Sequence, residues 1–151
     1  MSYFEDLKLG HKVTTGARTI TDGMATVLIN IGGFTAPFFN DETEASKTPL
    51  GWRAIPGRIT FALMGGLIET AEAFGRGPGA VMLVGANNLA WRTPLKVGDT
   101  IRLEFEITEK KETETKNPRW GVVVNKETLT NQRGEVVCEV EITHLVERKP
   151  K

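Results

Sequence analysis

The chain has 151 residues, of which 40% are hydrophobic and 25% are charged, the composition of an ordinary globular domain. Its 19 basic residues balance its 19 acidic ones, which argues against binding to nucleic acid or to an acidic membrane surface. Cys138 is the only cysteine, which excludes an internal disulfide, and the N-terminus MSYFEDLKLG is unlike a targeting peptide. We therefore expect one domain over residues 1–151, located in the cytoplasm.

The start of the chain predicts one strand and one helix. Residues 12–20 (KVTTGARTI) are rich in β-branched side chains, which favour a strand. Thr21 can cap a helix that continues to about Ile31 and ends at Gly32. Four apolar residues of this helix have the spacing of one buried face: Met24, Val27, Leu28 and Ile31.

An aromatic loop and a short helix are predicted next. The loop is the segment FTAPFFN, Phe34–Asn40. Asp41 and Glu42 are typical of a helix start, where carboxylates cap free N–H groups and interact favourably with the helix dipole. The short helix ends before Pro49, because proline disfavours helical geometry in the residue ahead of it.

The stretch Pro56–Phe74 (PGRITFALMGGLIETAEAF) predicts the element around which the chain is organised. Ten consecutive residues in its middle are apolar or glycine except for Thr60, so we expect a central helix over about residues 58–74, buried on all sides. This run is too short to cross a bilayer, which needs about 20 apolar residues. Gly65 and Gly66 cost helix propensity and indicate that another element packs very close to them.

The start of this helix is the first candidate site. Pro56 and Gly57 make a rigid turn, and the free N–H groups after it are a natural site for a carbonyl oxygen or an anion. Arg58 places a cation at the helix end that favours anions, so it should need an anionic partner. Either a ligand carboxylate or phosphate provides that partner, or a nearby acid does: Asp41, Glu42 or Glu44.

The second half of the chain predicts four consecutive strands. The first covers Ala80–Arg92 and contains Asn88, which either lines a cavity or lies in a bulge. In the second, apolar and polar residues alternate over Ile101–Ile107. The turn NQRG joins the last two, Trp120–Thr130 and Glu135–Glu147. A strand, then helices, then four strands predict an α+β fold, with an antiparallel sheet wrapped around the buried helix.

Five segments also carry a resemblance to a known family: YFEDLKLG, RTITDGM, the region from Gly33 to Thr60, NNLAWRTPLKVGDTIRLEFEI and NQRGEVVCEVEITHLV. In their order and spacing they resemble the MaoC-like group of the hot-dog fold, relatives of (R)-specific enoyl-CoA hydratases and dehydratases. The resemblance implies a single α+β hot-dog domain and a dimer with substrate tunnels at the subunit interface. It also implies acyl thioesters of CoA or of an acyl carrier protein as ligands or substrates, with no cofactor.

The family's hydratases carry the motif Asp-x-Asn-Pro-x-His, in which Asp and His handle water and the proton. A backbone N–H at the start of their central helix binds the thioester carbonyl. Aligned on Pro37, the motif's Asp falls on Phe34 and its His on Phe39, whereas Gly57 matches the helix glycine. The resemblance therefore implies a retained carbonyl donor, a lost acid–base pair and an apolar pocket that also includes Phe61.

Three functional hypotheses follow. In the first, the chain binds an acyl thioester with impaired or altered hydration chemistry, as a homo-oligomer or as the non-catalytic subunit of a heteromeric hydratase. In the second, it is an active hydratase, dehydratase or thioesterase that uses Asp41, Glu42 or Arg58 as substitutes. In the third, it is a structural or regulatory subunit without a small ligand. No metal site is predicted, and the candidate substrate-binding residues are Phe34, Phe39, Gly57, Arg58, Phe61 and Asn88.

Overall fold

A computed structural model describes residues 1–112 and 118–150 of the chain. After a 3₁₀ turn at Phe4–Asp6, the helices are α1 (Asp22–Ile31), α2 (Pro37–Asn40), α3 (Glu42–Ser46) and α4 (Gly57–Ala71). The strands are β1 (Lys12–Thr14), β2 (Arg18–Thr19), β3 (Val81–Trp91), β4 (Thr100–Glu112), β5 (Trp120–Asn131) and β6 (Val136–Glu147). None of the described helices has both the length and the hydropathy that a bilayer crossing requires.

The strands form one antiparallel sheet in the order β1-β4-β5-β6-β3, with β2 also paired to β4. The four long strands lie where the sequence predicts them. In β4 the alternation gives one fully buried face, made of Ile101, Leu103, Phe105 and Ile107. The predicted α+β fold, an antiparallel sheet packed on a central helix, is confirmed.

The predicted first strand over residues 12–20 is wrong as a continuous element. It consists of β1 and β2, and the register against β4 shifts by one residue between them. Thr15 lies at this interruption, where its N–H donates to the Leu103 carbonyl and its Oγ1 accepts from the Leu103 N–H. Here a side-chain oxygen replaces a backbone carbonyl as the acceptor of one hydrogen bond between the strands, and this allows the chain to bend. The β-propensity of the residues does not indicate such an interruption.

The predicted buried face of α1 is also partly wrong. The helix starts as predicted, with Thr21 Oγ1 accepting a hydrogen bond from the helix's first turn. However, Ala25 and Ile29 are its fully buried residues, whereas Val27 is 56% and Ile31 81% exposed. The helix docks through a narrow stripe of positions i and i+4, so two of its large apolar residues point away from the core.

The predicted aromatic loop contains a helical turn, α2, in its last four residues. Proline at its first position suits a helix start because its missing N–H would have had no partner. Asn40 Nδ2 donates to the carbonyls of Phe34 at 2.9 Å and Ala36 at 3.2 Å, which fixes the turn. Asp41 then caps α3, and this predicted helix start is confirmed.

Helix α4 packs against the sheet through one face only. Its buried residues are Ile59, Thr60, Met64, Leu67 and Ile68. On the opposite face Ala62, Gly65 and Gly66 are exposed, and a Cβ added to either glycine would meet nothing within 4 Å. The predictions of burial on all sides and of close packing at the glycine pair are therefore wrong for the single chain. One sheet covers only one side of a helix, and no second layer of the described chain covers the other.

Candidate functional site

The start of α4 presents unpaired backbone donors. Pro56 supplies no capping side chain, and the N–H groups of Gly57 and Arg58 have no hydrogen-bond partner among the described residues. Trp91 on β3 closes one side of this site, because its Nε1 donates to the Gly57 carbonyl at 2.8 Å. A Cβ at position 57 would lie 2.9 Å from that nitrogen. Glycine therefore allows the indole to pack against the first turn of α4.

Phe34 and Phe39, which the resemblance aligns with the motif's Asp and His, lie together in the fold. Their ring centroids are 6.0 Å apart with an interplanar angle of 82°, an edge-to-face contact. Phe38 and Phe39 line an apolar cavity of about 330 Å³, completed by Thr48, Pro49, Leu50, Trp52 and Ala54. The two aromatic side chains therefore make an apolar contact where the motif would place its polar pair.

The acids near this site have structural partners. Asp41 Oδ1 accepts the first N–H groups of α3, and Glu42 Oε1 lies 3.3 Å from Arg53 Nε. Arg53 is also ion-paired with Asp22 of α1. Arg58 is exposed and has no ion-pair partner in the parts of the chain that the structure describes. The alternative in which a nearby acid neutralises Arg58 is therefore not what the single chain shows.

Phe61 and Phe39 line different cavities in the single chain, and the single pocket with Phe34, Phe39 and Phe61 stays a prediction. This second cavity has a volume of about 380 Å³ and lies between α4 and the sheet. Its apolar lining includes Phe61, Ala62, Ile68, Phe74, Val81, Leu83 and Ile142. We call it the α4 cavity.

Three buried polar side chains, Asn125, Glu127 and His144, lie on the sheet beneath α4, and we call them the polar trio. Their exposed fractions are 0%, 4% and 8%. Asn125 Nδ2 donates to Glu127 Oε1 at 2.8 Å, and Asn125 Oδ1 lies 2.9 Å from His144 Nδ1, which donates to it. Glu127 and His144 also line the α4 cavity.

Burial perturbs both titratable members of the trio in the direction of their neutral forms. Removal from water raises the pKa of Glu127 to about 7, although the hydrogen bond from Asn125 opposes this rise. The same cause lowers the pKa of His144 to about 4. At pH 7 the imidazole is therefore neutral, while Glu127 is divided between its protonated and ionised forms.

The sequence predicts His144 on the apolar face of its strand but gives no such prediction for Asn125 and Glu127. Both residues share the buried face of β5 with Val123 and Leu129. The period of two that links these apolar residues is the signal that could have identified them. This signal is ambiguous because both faces of β5 carry valines, so the sequence alone does not show which face is buried.

Asn88 lies in a bulge of β3, one of the two predicted alternatives. The register of β3 against β6 shifts beside it, and its φ is 53°. Its Nδ2 donates to Glu141 Oε2 at 2.6 Å. Since Val140 and Ile142 point to the core, Glu141 and Asn88 lie on the sheet face opposite α4. This contact places Asn88 apart from both cavities.

Comparisons with known proteins fall on one family. The model of the FAS1-like dehydratase domain region matches residues 8–140. The 3-hydroxybutyryl-CoA dehydratase of Methylorubrum extorquens is 30% identical over 107 residues. These residues are 71% of this chain and 64% of the relative, so the chain covers less than two thirds of that relative's length. The (R)-specific enoyl-CoA hydratase of Rhodospirillum rubrum is 26% identical over 151 residues, 97% of this chain and 92% of the relative. A crystal structure of a MaoC-like dehydratase from Rhodospirillum rubrum has a TM-score of 0.82 at 25% identity and covers 100% of both chains.

Proposed function

The chain belongs to the FAS1-like dehydratase domain family, with MaoC-like hydratases and dehydratases as its relatives, and we propose that it binds an acyl-CoA or acyl-carrier thioester. The observation that carries this proposal is the pair of unpaired N–H groups at Gly57 and Arg58. A thioester carbonyl placed there accepts both hydrogen bonds at the positive end of the helix dipole. The bond from Trp91 to Gly57 holds these donors in place before the ligand arrives.

Arg58 supplies a charge that suits CoA. It follows directly after the first donor, it is exposed, and it has no ion-pair partner in the described chain. A cation at this helix end opposes the helix dipole, so an anionic ligand removes an unfavourable interaction as well as adding a favourable one. The phosphates of CoA are anions of this kind, and we expect Arg58 to contribute to CoA affinity.

We propose further that hydration by the family's usual route is impaired. Phe34 and Phe39 can neither activate water nor transfer a proton, and each such group typically contributes 10²–10⁴-fold to a rate. The substitutes considered from the sequence, Asp41 and Glu42, are engaged by the α3 cap and by Arg53. The alternatives are an active hydratase, dehydratase or thioesterase with another mechanism, and the non-catalytic subunit of a heteromeric hydratase.

A binding and turnover experiment on the same preparation tests this proposal. Butyryl-CoA and crotonyl-CoA are titrated by calorimetry, and crotonyl-CoA is followed for loss of enoyl absorbance and for release of free thiol. We expect binding without hydration or thioester cleavage at ordinary enzyme rates, which are about 1–10³ s⁻¹. The variant Phe34→Asp/Ala36→Asn/Phe39→His, which restores the motif, is expected to gain hydration by about 10² or more.

The outcomes separate the alternatives. Turnover of crotonyl-CoA at ordinary rates by the unchanged protein refutes the impaired-hydration proposal. Failure of every CoA ester to bind refutes the thioester proposal and favours a structural or regulatory subunit. Binding without turnover, together with no gain in the triple variant, indicates that the pocket around Phe34 and Phe39 has been rebuilt for another ligand.

We propose that a second copy of the chain covers the open side of α4 and β3. Strand β3 is the outer strand of the sheet, so one of its edges is unpaired within the described residues. Its consecutive residues Met82, Leu83 and Val84 are 42%, 62% and 54% exposed, and Leu83 lines the α4 cavity together with the exposed Gly65 of α4. An exposed, long and apolar edge strand is a liability unless another chain covers it. A two-fold pairing of β3 with β3 satisfies this edge and encloses the α4 cavity.

A further inference from the structure

The α4 cavity contains polar groups that a site for a purely apolar chain does not need. Glu127 is 4% exposed and His144 is 8% exposed, and the remaining lining is mostly apolar. Burying a carboxyl group is costly, and apolar side chains of similar size usually stabilise a core better. A polar trio kept at this cost beside an open cavity is therefore typical of a functional position.

The cavity follows α4 away from the proposed carbonyl donors. Its lining begins at Phe61, one helical turn after Gly57, and continues through Gly65 to Ile68. Gly65 lies roughly 12 Å along the helix from Gly57 at about 1.5 Å per residue. A chain that starts at the donors and follows the helix therefore needs to cover about 6 Å to reach the first residue of the cavity lining, Phe61.

The strand register places the polar trio along the same path. Trp91, which bonds to Gly57, is paired with Cys138 of β6. Glu127 is paired with Val140, which lies two residues after Cys138 on β6, and His144 lies six residues after Cys138. At about 3.3 Å per residue these groups lie roughly 7 and 20 Å beyond the level of Trp91. Both groups therefore lie further along the sheet than a thioester carbonyl bound at Gly57, with Glu127 nearer to it than His144.

The unused hydrogen-bonding capacity of the trio matches a hydroxyl group. His144 donates through Nδ1 to Asn125, which leaves Nε2 as an acceptor with no hydrogen-bond partner in the described chain. Glu127 Oε2 likewise has no such partner there, and in the protonated form it can donate. A hydroxyl at the level of Glu127 can accept a hydrogen bond from the protonated carboxyl, and His144 Nε2 offers a second acceptor further along the cavity, whereas an alkyl chain satisfies neither. An anionic group would meet Glu127 and also Glu69, which lines the cavity from α4.

We propose that the α4 cavity binds an acyl chain that carries a hydroxyl group remote from the thioester, and that Glu127 and His144 select this hydroxyl. The proposal deepens the proposed function and rests on it, because the thioester at Gly57 fixes where the chain enters. It assigns the trio to substrate selection and not to the chemistry at the thioester.

Calorimetric titration with two matched ligand series tests the proposal. The first series is saturated acyl-CoA esters from hexanoyl to dodecanoyl, and the second is ω-hydroxyacyl-CoA esters of the same lengths. At one or two adjacent lengths, we expect the hydroxy ester to bind about tenfold or more tightly than its alkyl counterpart. Glu127→Leu should reverse this preference while keeping affinity for the alkyl esters. Glu104→Gln, an exposed glutamate of β4, is the control and should change neither.

Each result decides the proposal. Alkyl esters that bind as tightly as hydroxy esters at every length overturn it, as does a hydroxyl preference that survives Glu127→Leu. If no CoA ester binds, the proposed function has failed, and the cavity is then tested alone with hexanol against chlorohexane. A preference for hexanol that Glu127→Leu abolishes still supports a hydroxyl site, whereas equal or absent binding of the two overturns it.

Discussion

Replacing Glu127 with glutamine should stabilise the protein at alkaline pH and leave its stability almost unchanged in acid. Glutamine has nearly the same shape and can accept the same hydrogen bond from Asn125, so the substitution removes mainly the titration. Burial holds the pKa of Glu127 at about 7, against 4.5 for an ordinary glutamate. One pKa unit corresponds to about 1.4 kcal/mol, so this difference lowers the free energy of unfolding of the wild type by about 3 kcal/mol once Glu127 is ionised.

The sign of this effect follows from which form the fold prefers. Below pH 4.5 the carboxyl is neutral in both the folded and unfolded states, so Glu127 costs nothing. Between pH 4.5 and about 7 the unfolded state releases its proton while the folded state retains it, and stability falls. Above pH 7 the full cost of a buried carboxylate is present. His144 has a lowered pKa and loses stability as pH falls from 6.5 to about 4, but this contribution is common to both proteins.

Urea denaturation followed by tryptophan fluorescence, at one protein concentration and from pH 4 to 8.5, measures the difference. At pH 8 we expect the free energy of unfolding of Glu127→Gln to be about 3 kcal/mol higher than that of the wild type, which corresponds to a melting temperature roughly 6–12 °C higher. At pH 4 the two proteins should agree to within about 0.5 kcal/mol. Glu104→Gln, on an exposed position of the neighbouring strand, should show no pH-dependent difference. Equal stability of the wild type and Glu127→Gln at pH 8 would refute the raised pKa of Glu127.

Three further predictions concern other parts of the molecule. Asp99→Asn, which weakens the buried acceptor of Arg133 Nη1 at 2.9 Å, should destabilise by about 1–3 kcal/mol at pH 7 and less at pH 3. Burial raises the pKa of Asp99, but hydrogen bonds and Arg133 outweigh this and lower it, so the stabilisation by Asp99 is present above pH 3.8 and is lost in acid. Urea denaturation at pH 7 and pH 3 measures the loss of unfolding free energy in Asp99→Asn, and equal losses at the two pH values would contradict this prediction. Val84→Asp should convert the proposed dimer to a monomer in light scattering, whereas Leu9→Asp, at another exposed apolar residue, should not; a monomeric wild type rules out the proposed dimer. Arg58→Ala should weaken CoA binding by about 3–10-fold without changing the melting temperature, and unchanged affinity would remove Arg58 from the site.

The sequence by itself determined the order and type of the main elements. Alternation within β4 follows directly from the period of two in a strand that is buried on one face. The caps at Thr21 and Asp41 are local, since a side chain bonds to N–H groups two or three residues away. The alignment of Phe34 and Phe39 with the family's polar pair also comes from the sequence alone and stays a prediction.

The tertiary structure decided which faces are buried and which distant residues meet. Val27 and Ile31 are as apolar as the residues that α1 buries, and only the position of the helix over the core leaves them exposed. Whether Gly65 faces a sheet or open space depends on how many sides of α4 the chain covers. The contact between Asn125 and His144, 19 residues apart in the chain, could not be predicted because it depends on the register between β5 and β6. Register is a property of the assembled sheet, and a shift of one residue would have turned these side chains to the opposite face.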